Sequence, residues 1–165
     1  KVYLFADEFT MHEDAHLGEK FSKLLRELGY RVEIPKHIES ARAAISKGCL
    51  RLAKKIALKN YNYLKDIISE ETPLIGIEPS SILSFRDEYP NLLPSSIRAS
   101  AMQMGKHALL FDEFLFREIE RGKISREDFK REELEIWHPL GIIFTFAPVK
   151  YNTEWMLWHG WLFWV

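Results

Sequence analysis

Short apolar runs alternate with helix-length amphipathic segments through the first 136 residues, and this alternation constrains the fold more than any other feature of the sequence. Three apolar runs predict strands, at residues 2–6, 31–35 and 73–79. Apolar residues at helical spacing predict two helices, at residues 13–28 and 49–69. Because a parallel crossover needs a connection of helix length, this order favours a parallel sheet.

The region after the third strand predicts further helices. Ser80 or Ser81 is placed to cap a short helix that runs to Phe85, and Tyr89-Pro90 predicts a turn. Residues 96–121 predict a helix that breaks near Gly105, and residues 134–136 predict a fourth strand. We therefore expect an α/β fold, a parallel sheet of about four strands flanked by helices on both faces.

The last 29 residues differ in composition from the rest. They hold all five tryptophans, and Lys150 and Glu154 are their only charged residues. This contrast predicts two parts, an α/β module at residues 1–136 and an irregular, tryptophan-rich tail at residues 137–165. Tryptophan prefers membrane-water boundaries, so an alternative interpretation of the tail is an interfacial anchor.

Charge and cysteine content exclude several classes of function. The 23 basic and 24 acidic side chains leave no net field that attracts nucleic acid. Cys49, which we expect to be a small buried helix residue, is the single cysteine, so one chain has neither a disulfide nor a four-cysteine metal site. No apolar run has the length of a membrane span and no leader is evident, which predicts a cytoplasmic protein with membrane contact restricted to the tail.

A metal-binding pattern occurs near the start of the chain. His12, Glu13 and His16 match H-E-x-x-H, in which two histidines one helical turn apart hold zinc and the glutamate is the general base. The alternative is a set of solvated residues at a helix start, where the helix dipole accounts for the acidic side chains. A zinc hydrolase is therefore one alternative function, and a non-enzymatic α/β interaction module is another.

Polar residues follow the predicted strands at the edge where parallel sheets bind ligands. The candidate ligand-facing or partner-facing residues are His37, Glu39, Ser40, Arg42, Glu78, Ser81 and Arg86. The group after the second strand has the chemistry to orient a carboxylate or phosphate. Alternatively, Glu39 or Ser40 caps a helix that begins near Ala41 and leaves Arg42 solvated. Arg86 is also interpreted as a local ion pair with its neighbours, and no activated nucleophile is present.

Two segments carry a family resemblance. Ile-Pro-Lys-His-Ile-Glu-Ser-Ala-Arg at residues 34–42 and Pro-Leu-Ile-Gly-Ile-Glu-Pro-Ser-Ser at residues 73–81 resemble the cysteine-rich (CCG) domain of FAD-linked oxidase and iron-sulfur fusion proteins. These proteins are similar to D-lactate dehydrogenase and glycolate oxidase. The resemblance implies a parent protein that oxidises a 2-hydroxy acid with FAD and passes electrons through 4Fe-4S clusters to an acceptor that the sequence does not identify.

The resemblance also implies cysteines that this chain lacks. Distant relatives have Cys-Cys-Gly where residues 39–41 read Glu-Ser-Ala, and many have a cysteine where Ser81 stands. The family's closing Gly-Cys-Cys-Gly signature is missing, but codons for residues 152–165 permit it in a shifted frame, so we interpret the tail as a frameshifted reading. We therefore expect an inactive fragment without cofactor or bound metal. We also expect it to dock on the remainder of the flavin protein, at the inner membrane face if not free in the cytoplasm.

Overall fold

A computed structural model describes residues 1–12, 15–125, 128–129, 136–137 and 143–144. The described chain contains a four-stranded parallel sheet formed by β1 (Val2–Phe5), β2 (Val32–Glu33), β3 (Leu74–Gly76) and β4 (Ala108–Leu110). The strand order is β2-β1-β3-β4, and the two central strands pair Tyr3 with Leu74 and Phe5 with Gly76. The predicted parallel α/β fold is confirmed.

Helices connect the strands. Their bounds are α1 Glu8–His12, α2 Ala15–Glu27, α3 Arg42–Ser46, α4 Leu50–Leu64, α5 Pro79–Asp87, α6 Tyr89–Leu92, α7 Ser95–Gly105 and α8 Phe111–Glu120. Gly29, after α2, has φ +84°, a left-handed conformation that suits glycine at a helix end.

Both faces of the sheet are buried because helices cover each of them. Tyr3 and Phe5 belong to a core cluster with α4, α5, α6 and α7. Val2 and Leu4 alternate with them along β1 and therefore point to the opposite face, and they are equally buried. That second layer contains α2 and α8, whose Phe21 and Phe111 rings meet edge to face at 4.4 Å. A strand buried on both faces reads as an uninterrupted apolar run, which is why β1 is evident in the sequence.

The fourth strand lies where the sequence predicts a helix. β4 occupies residues 108–110, within the predicted helix 96–121, so that prediction is wrong there. α7 ends at Gly105, where an added Cβ would lie 2.7 Å from the carbonyl oxygen of Phe85, so only glycine permits this close approach to α5. The three apolar residues of β4 are compatible with both the helix period and the strand period. The sequence therefore does not distinguish β4 from the helices on either side of it.

Several smaller predictions are also wrong. Tyr89-Pro90 begins α6 rather than forming a turn, because proline is tolerated in the first turn of a helix. Cys49 is exposed, immediately before α4, and is not a buried helix residue. The predicted strand at residues 134–136 begins outside the described residues. Ile136–Trp137 (β5) pairs antiparallel with Ile143–Phe144 (β6), and this pair is separate from the parallel sheet.

The chain divides into two compact units, Lys1–Asp128 and Phe129–Val165. The first contains the parallel sheet and all the candidate residues named above. In the second, the described residues are Phe129 and the two short strands. None of the described helices combines the length and the hydropathy that crossing a bilayer requires.

A buried carboxylate anchors the end of α8. The side chain of Glu118 is 1% exposed and accepts hydrogen bonds from the Tyr30 hydroxyl at 2.8 Å and from Arg117 Nε at 3.1 Å. Lys123 Nζ lies 3.2 Å from the same carboxylate. Burial disfavours the charged form, but these hydrogen bonds and positive charges together lower the pKa of Glu118. The charged carboxylate therefore holds α8 against the segment before β2.

Candidate functional site

The crevice between β1 and β3 is the place where ligands bind in open parallel sheets. The chain leaves β1 toward β2 on one side and leaves β3 toward β4 on the other, so the connections diverge at this point. Asp7 and Glu8 follow β1, and Glu78 follows β3. The segment after β2, which contains Ser40, reaches the same edge through its contact with Glu8.

Asp7 is a buried acid at the end of β1. Its side chain accepts hydrogen bonds from the backbone N–H groups of Phe9 at 2.9 Å and Thr10 at 3.1 Å, and from the Thr10 hydroxyl at 2.7 Å. Burial raises the pKa of Asp7, and the charge of Glu78 adds to this effect against the opposing hydrogen bonds. Asp7 thus caps α1, and its burial is the main reason that its anionic form is disfavoured.

Because burial disfavours the Asp7 anion, replacing Asp7 with a neutral residue is expected to maintain or raise the free energy of unfolding at neutral pH. Because its folded pKa is raised, the stability that it contributes is fully present below the unfolded pKa and is lost as pH rises through the folded pKa. Asn is an equally good helix cap and keeps an oxygen for the two N–H groups. We expect Asp7→Asn to leave stability at neutral pH unchanged or raised by up to about 1 kcal/mol. Urea unfolding across acidic to neutral pH measures this, and a large loss at neutral pH would contradict it.

The loop after β2 is held by a carboxylate that the sequence interpretation missed. Glu8 accepts hydrogen bonds from the Ser40 backbone N–H at 2.8 Å and from the Ser40 hydroxyl at 2.7 Å. Ser40 is fully buried, and its Oγ also accepts the backbone N–H of Arg42 at 3.1 Å. The N-cap of α3 is nevertheless Ala41, so Ser40 lies one residue before the position that the capping interpretation expects. The backbone N–H and the hydroxyl of Ser40 are therefore already hydrogen-bonded within the protein.

A second anchor of this loop comes from α4 and α6. Asn60 accepts the backbone N–H of Ile38 and donates to the Glu39 carbonyl and to the Tyr89 hydroxyl, each at 2.9 Å. The Tyr89 hydroxyl in turn donates to the Ser40 carbonyl at 2.9 Å. Asn60 and Tyr89 are both fully buried, and burial is the main reason that the pKa of Tyr89 is raised. The network fixes the backbone of residues 38–40.

The conformation of this loop includes a left-handed residue. Ala41 has φ +73° and is the one non-glycine residue with positive φ among the residues that the structure describes. Such a conformation costs an L-residue about 1 kcal/mol, and the fixed backbone before it sustains this cost. His37 lies beside the loop, with its ring 4.6 Å from the Phe5 ring and its Nδ1 3.0 Å from the Ile38 carbonyl oxygen.

In the segment after β3, Glu78 forms hydrogen bonds within the segment itself. Glu78 caps α5 and accepts the backbone N–H groups of Ser80 at 3.2 Å and Ser81 at 2.6 Å, as well as the Ser80 hydroxyl at 2.8 Å. The predicted cap at Ser80 or Ser81 is therefore wrong, because the Glu78 side chain accepts both N–H groups and is the N-cap of α5. Within the described chain, Ser81 Oγ is a buried side-chain atom that has no hydrogen-bond partner.

The candidate arginines are paired with acids. Arg42 Nη1 lies 3.1 Å from Glu88 Oε1, so Arg42 has an acidic partner that the capping interpretation does not expect, although its side chain is still 37% exposed. Arg86 donates to both carboxylate oxygens of Glu113, at 3.2 and 3.3 Å. Arg86 therefore pairs across to α8 rather than within Arg86-Asp87-Glu88. Glu39 is exposed, and its backbone carbonyl is the part that the loop network uses.

The structure describes only part of the H-E-x-x-H pattern. α1 ends at His12 and α2 begins at Ala15, and Glu13 and the side chain of His12 lie outside the described residues. His16 is exposed. Among the side chains that the structure describes, no group of three His, Cys, Asp or Glu residues is arranged to hold a metal ion. The zinc hypothesis stays a prediction.

The fold and its strand edge define a small α/β module in which Glu8, Glu78, Arg42 and Arg86 each have a partner inside the protein. The chain is similar to proteins named D-2-hydroxyglutarate dehydrogenase. It is 31% identical to that of Pantoea ananatis over 93 residues, 56% of this chain, and 30% identical to that of Escherichia coli over 88 residues, 53% of this chain. The matched segment spans 9% of the length of each relative. No family model matches the chain, and no solved structure matches it significantly.

Proposed function

We propose that this chain is a structural module of a flavin-dependent, iron-sulfur-containing 2-hydroxyacid dehydrogenase, and that D-2-hydroxyglutarate is the substrate of the whole enzyme. The observation that carries the proposal is the similarity to D-2-hydroxyglutarate dehydrogenases over about half of the chain. The contribution of the module is docking or electron transfer between parts of that enzyme.

The geometry supports a module that does no chemistry by itself. A substrate site needs polar groups that converge on a cavity and remain available to the ligand. Here Glu8 and Ser40 bind each other, Glu78 binds the start of α5, and Arg42 and Arg86 are paired with acids. These pairs stabilise the strand edge, and they leave little with which to orient a hydroxy acid.

The residues present do not fit an iron-sulfur cluster. A 4Fe-4S cluster is held by thiolates, and the chain has one cysteine, which lies exposed immediately before α4. At the position where the resemblance expects a thiolate, the chain has the buried hydroxyl of Ser81, which has no hydrogen-bond partner among the described residues. Clusters and flavin therefore belong to other parts of the parent enzyme in this proposal.

Activity measurements and a chimera test the proposal. We expect the purified chain to give no turnover of D-2-hydroxyglutarate with an artificial electron acceptor. We expect the Escherichia coli relative to keep at least about a tenth of its activity when its matched segment is replaced by that of this chain, a loss of no more than about 1.4 kcal/mol, because a docking module contributes no group to the chemical step.

The control for the chimera is the same relative with the matched segment deleted, which should lose activity. A chimera that folds and retains flavin but is as inactive as the deletion would contradict the proposal. So would turnover of the hydroxy acid by the isolated chain. Sequencing the encoding DNA tests the proposed frameshift of the tail, which requires Gly-Cys-Cys-Gly in the shifted frame.

A further inference from the structure

The near-zero net charge conceals a strong segregation of charge along the chain. Residues 40–64 contain six basic side chains and no Asp or Glu. The unit Lys1–Asp128 holds 20 basic and 20 acidic residues in all, so the rest of that unit is correspondingly acidic. Residues 40–64 are therefore basic throughout, although the net charge of the chain is close to zero.

Four of these six cations lie on the outer side of α4, and the other two, Arg42 and Lys47, precede that helix. The inner side is buried against the core through Ala53, Ile56, Ala57, Asn60, Tyr61 and Leu64. The opposite side is exposed, and we define the α4 outer face as Arg51, Leu52, Lys54, Lys55, Leu58 and Lys59. Because these residues lie within one exposed arc of a single rigid helix, their charges act together.

The cations of the α4 outer face have no acidic partner in the described part of the chain. Elsewhere most arginines and lysines are paired, as Arg86 is with Glu113 and Lys123 with Glu118. No ion pair joins Arg51, Lys54, Lys55 or Lys59 to a described carboxylate. Lys36 adds a further charge beside the helix, with its ammonium 4.6 Å from the centre of the Tyr63 ring.

Exposed leucines lie among these charges. Leu50 is 58% exposed, Leu52 51% and Leu58 37%, although leucine is normally among the more buried residues. Protein interfaces favour Arg, Tyr and Trp over Lys at their centres, and the α4 outer face has three lysines and no aromatic residue. Lysines surrounding leucines on an exposed helix are typical of helices that lie on an anionic lipid surface.

We propose that the α4 outer face docks this protein on an anionic membrane surface. The lysines and Arg51 lie among the lipid headgroups, and Leu52 and Leu58, with Leu50 at the helix start, reach the acyl boundary. This docking is independent of the tryptophan-rich tail and goes beyond the proposed dehydrogenase function.

Sedimentation with vesicles tests the proposal on the full chain. We expect the protein to sediment with vesicles of equimolar phosphatidylglycerol and phosphatidylcholine, and to stay in the supernatant with pure phosphatidylcholine. Binding should weaken as salt is raised, since exposed charges are screened. The triple variant Lys54→Gln, Lys55→Gln and Lys59→Gln should bind the anionic vesicles about a hundredfold more weakly, because each cation near the surface contributes about fivefold.

The matched control removes three exposed lysines from other elements, in the variant Lys20→Gln, Lys23→Gln and Lys106→Gln. It has the same net charge as the test variant, and we expect it to bind within about threefold of the unmodified chain. Circular dichroism and thermal unfolding establish that both variants are folded. A second test variant, Leu52→Ser with Leu58→Ser, should weaken binding without changing its salt dependence.

Three outcomes would overturn the proposal. Equal weakening of vesicle binding in the two lysine variants would show that binding depends on the net charge of the protein and not on the α4 outer face. Equal binding to neutral and anionic vesicles, unaffected by the lysine changes, would assign membrane contact to the tail. Binding of polyglutamate that depends on Lys54, Lys55 and Lys59, without vesicle binding, would assign the face to an acidic protein.

Discussion

Gly76→Ala is expected to destabilise the fold by about 3 kcal/mol or to prevent folding, because a Cβ at this position has no room. It would lie 2.4 Å from Ile82 Cβ and 2.8 Å from Ile82 Cγ1. Gly76 is in the central strand β3, paired with Phe5 on one side and Leu110 on the other, so the strand has little freedom to move. α5 would have to withdraw from the sheet, which would open the core around Ile82.

Urea unfolding measures this effect as a lower midpoint with an unchanged slope. Gly48→Ala is the matched control, because Gly48 has positive φ but open space around it, and we expect a cost of about 1 kcal/mol from backbone strain alone. Adding Ile82→Ala should not rescue Gly76→Ala, since alanine keeps the Cβ that makes the closest contact. Equal costs at the two glycines would show that α5 is not packed as closely as the structure has it.

Asn60→Ala is expected to cost about 3 kcal/mol, because it removes three hydrogen bonds at once, one of them to the buried Tyr89 hydroxyl. The Ile38 N–H loses its acceptor, the Glu39 carbonyl loses its donor, and the Tyr89 hydroxyl loses one of two bonds. The same change removes the support that keeps Ala41 at positive φ. The loop after β2 should therefore become mobile as the protein loses stability.

Asn62→Ala is the control, since Asn62 lies on the same helix but is exposed, and its cost should stay within about 0.5 kcal/mol. Tyr89→Phe should cost less than Asn60→Ala, about 1 to 2 kcal/mol, because it removes only the hydroxyl. The double variant should cost less than the sum, since the two side chains share a bond. A cost of Asn60→Ala close to that of Asn62→Ala would contradict the network.

The parts of the fold that could be predicted from sequence are those whose signal is local. β1 and β3 are apolar runs, and proline or acid bounds them, so their positions follow from residues within the strands. β4 has three residues between two helices, and its strand conformation depends on pairing with β3. Propensity within so short a segment does not decide between helix and strand.

The candidate site shows the same division. The rule that ligands bind at strand ends selects Ser40, Glu78 and Ser81, and their contact with a ligand stays a prediction. The rule did not reveal that Glu8 binds Ser40 across 32 residues or that Tyr89 binds the Ser40 carbonyl across 49. Such partners are set by tertiary packing, and an isolated sequence carries no distance between them. The positive φ of Ala41 had no signal either, because alanine rarely adopts it.

The charge segregation around α4 also affects how this protein behaves in concentrated solution. A molecule with almost no net charge but with a strongly basic segment attracts its own copies where that segment meets acidic side chains on another copy. Added electrolyte shortens the range of that attraction. Solubility near neutral pH should therefore increase as moderate salt is added, a salting-in that the overall composition does not suggest.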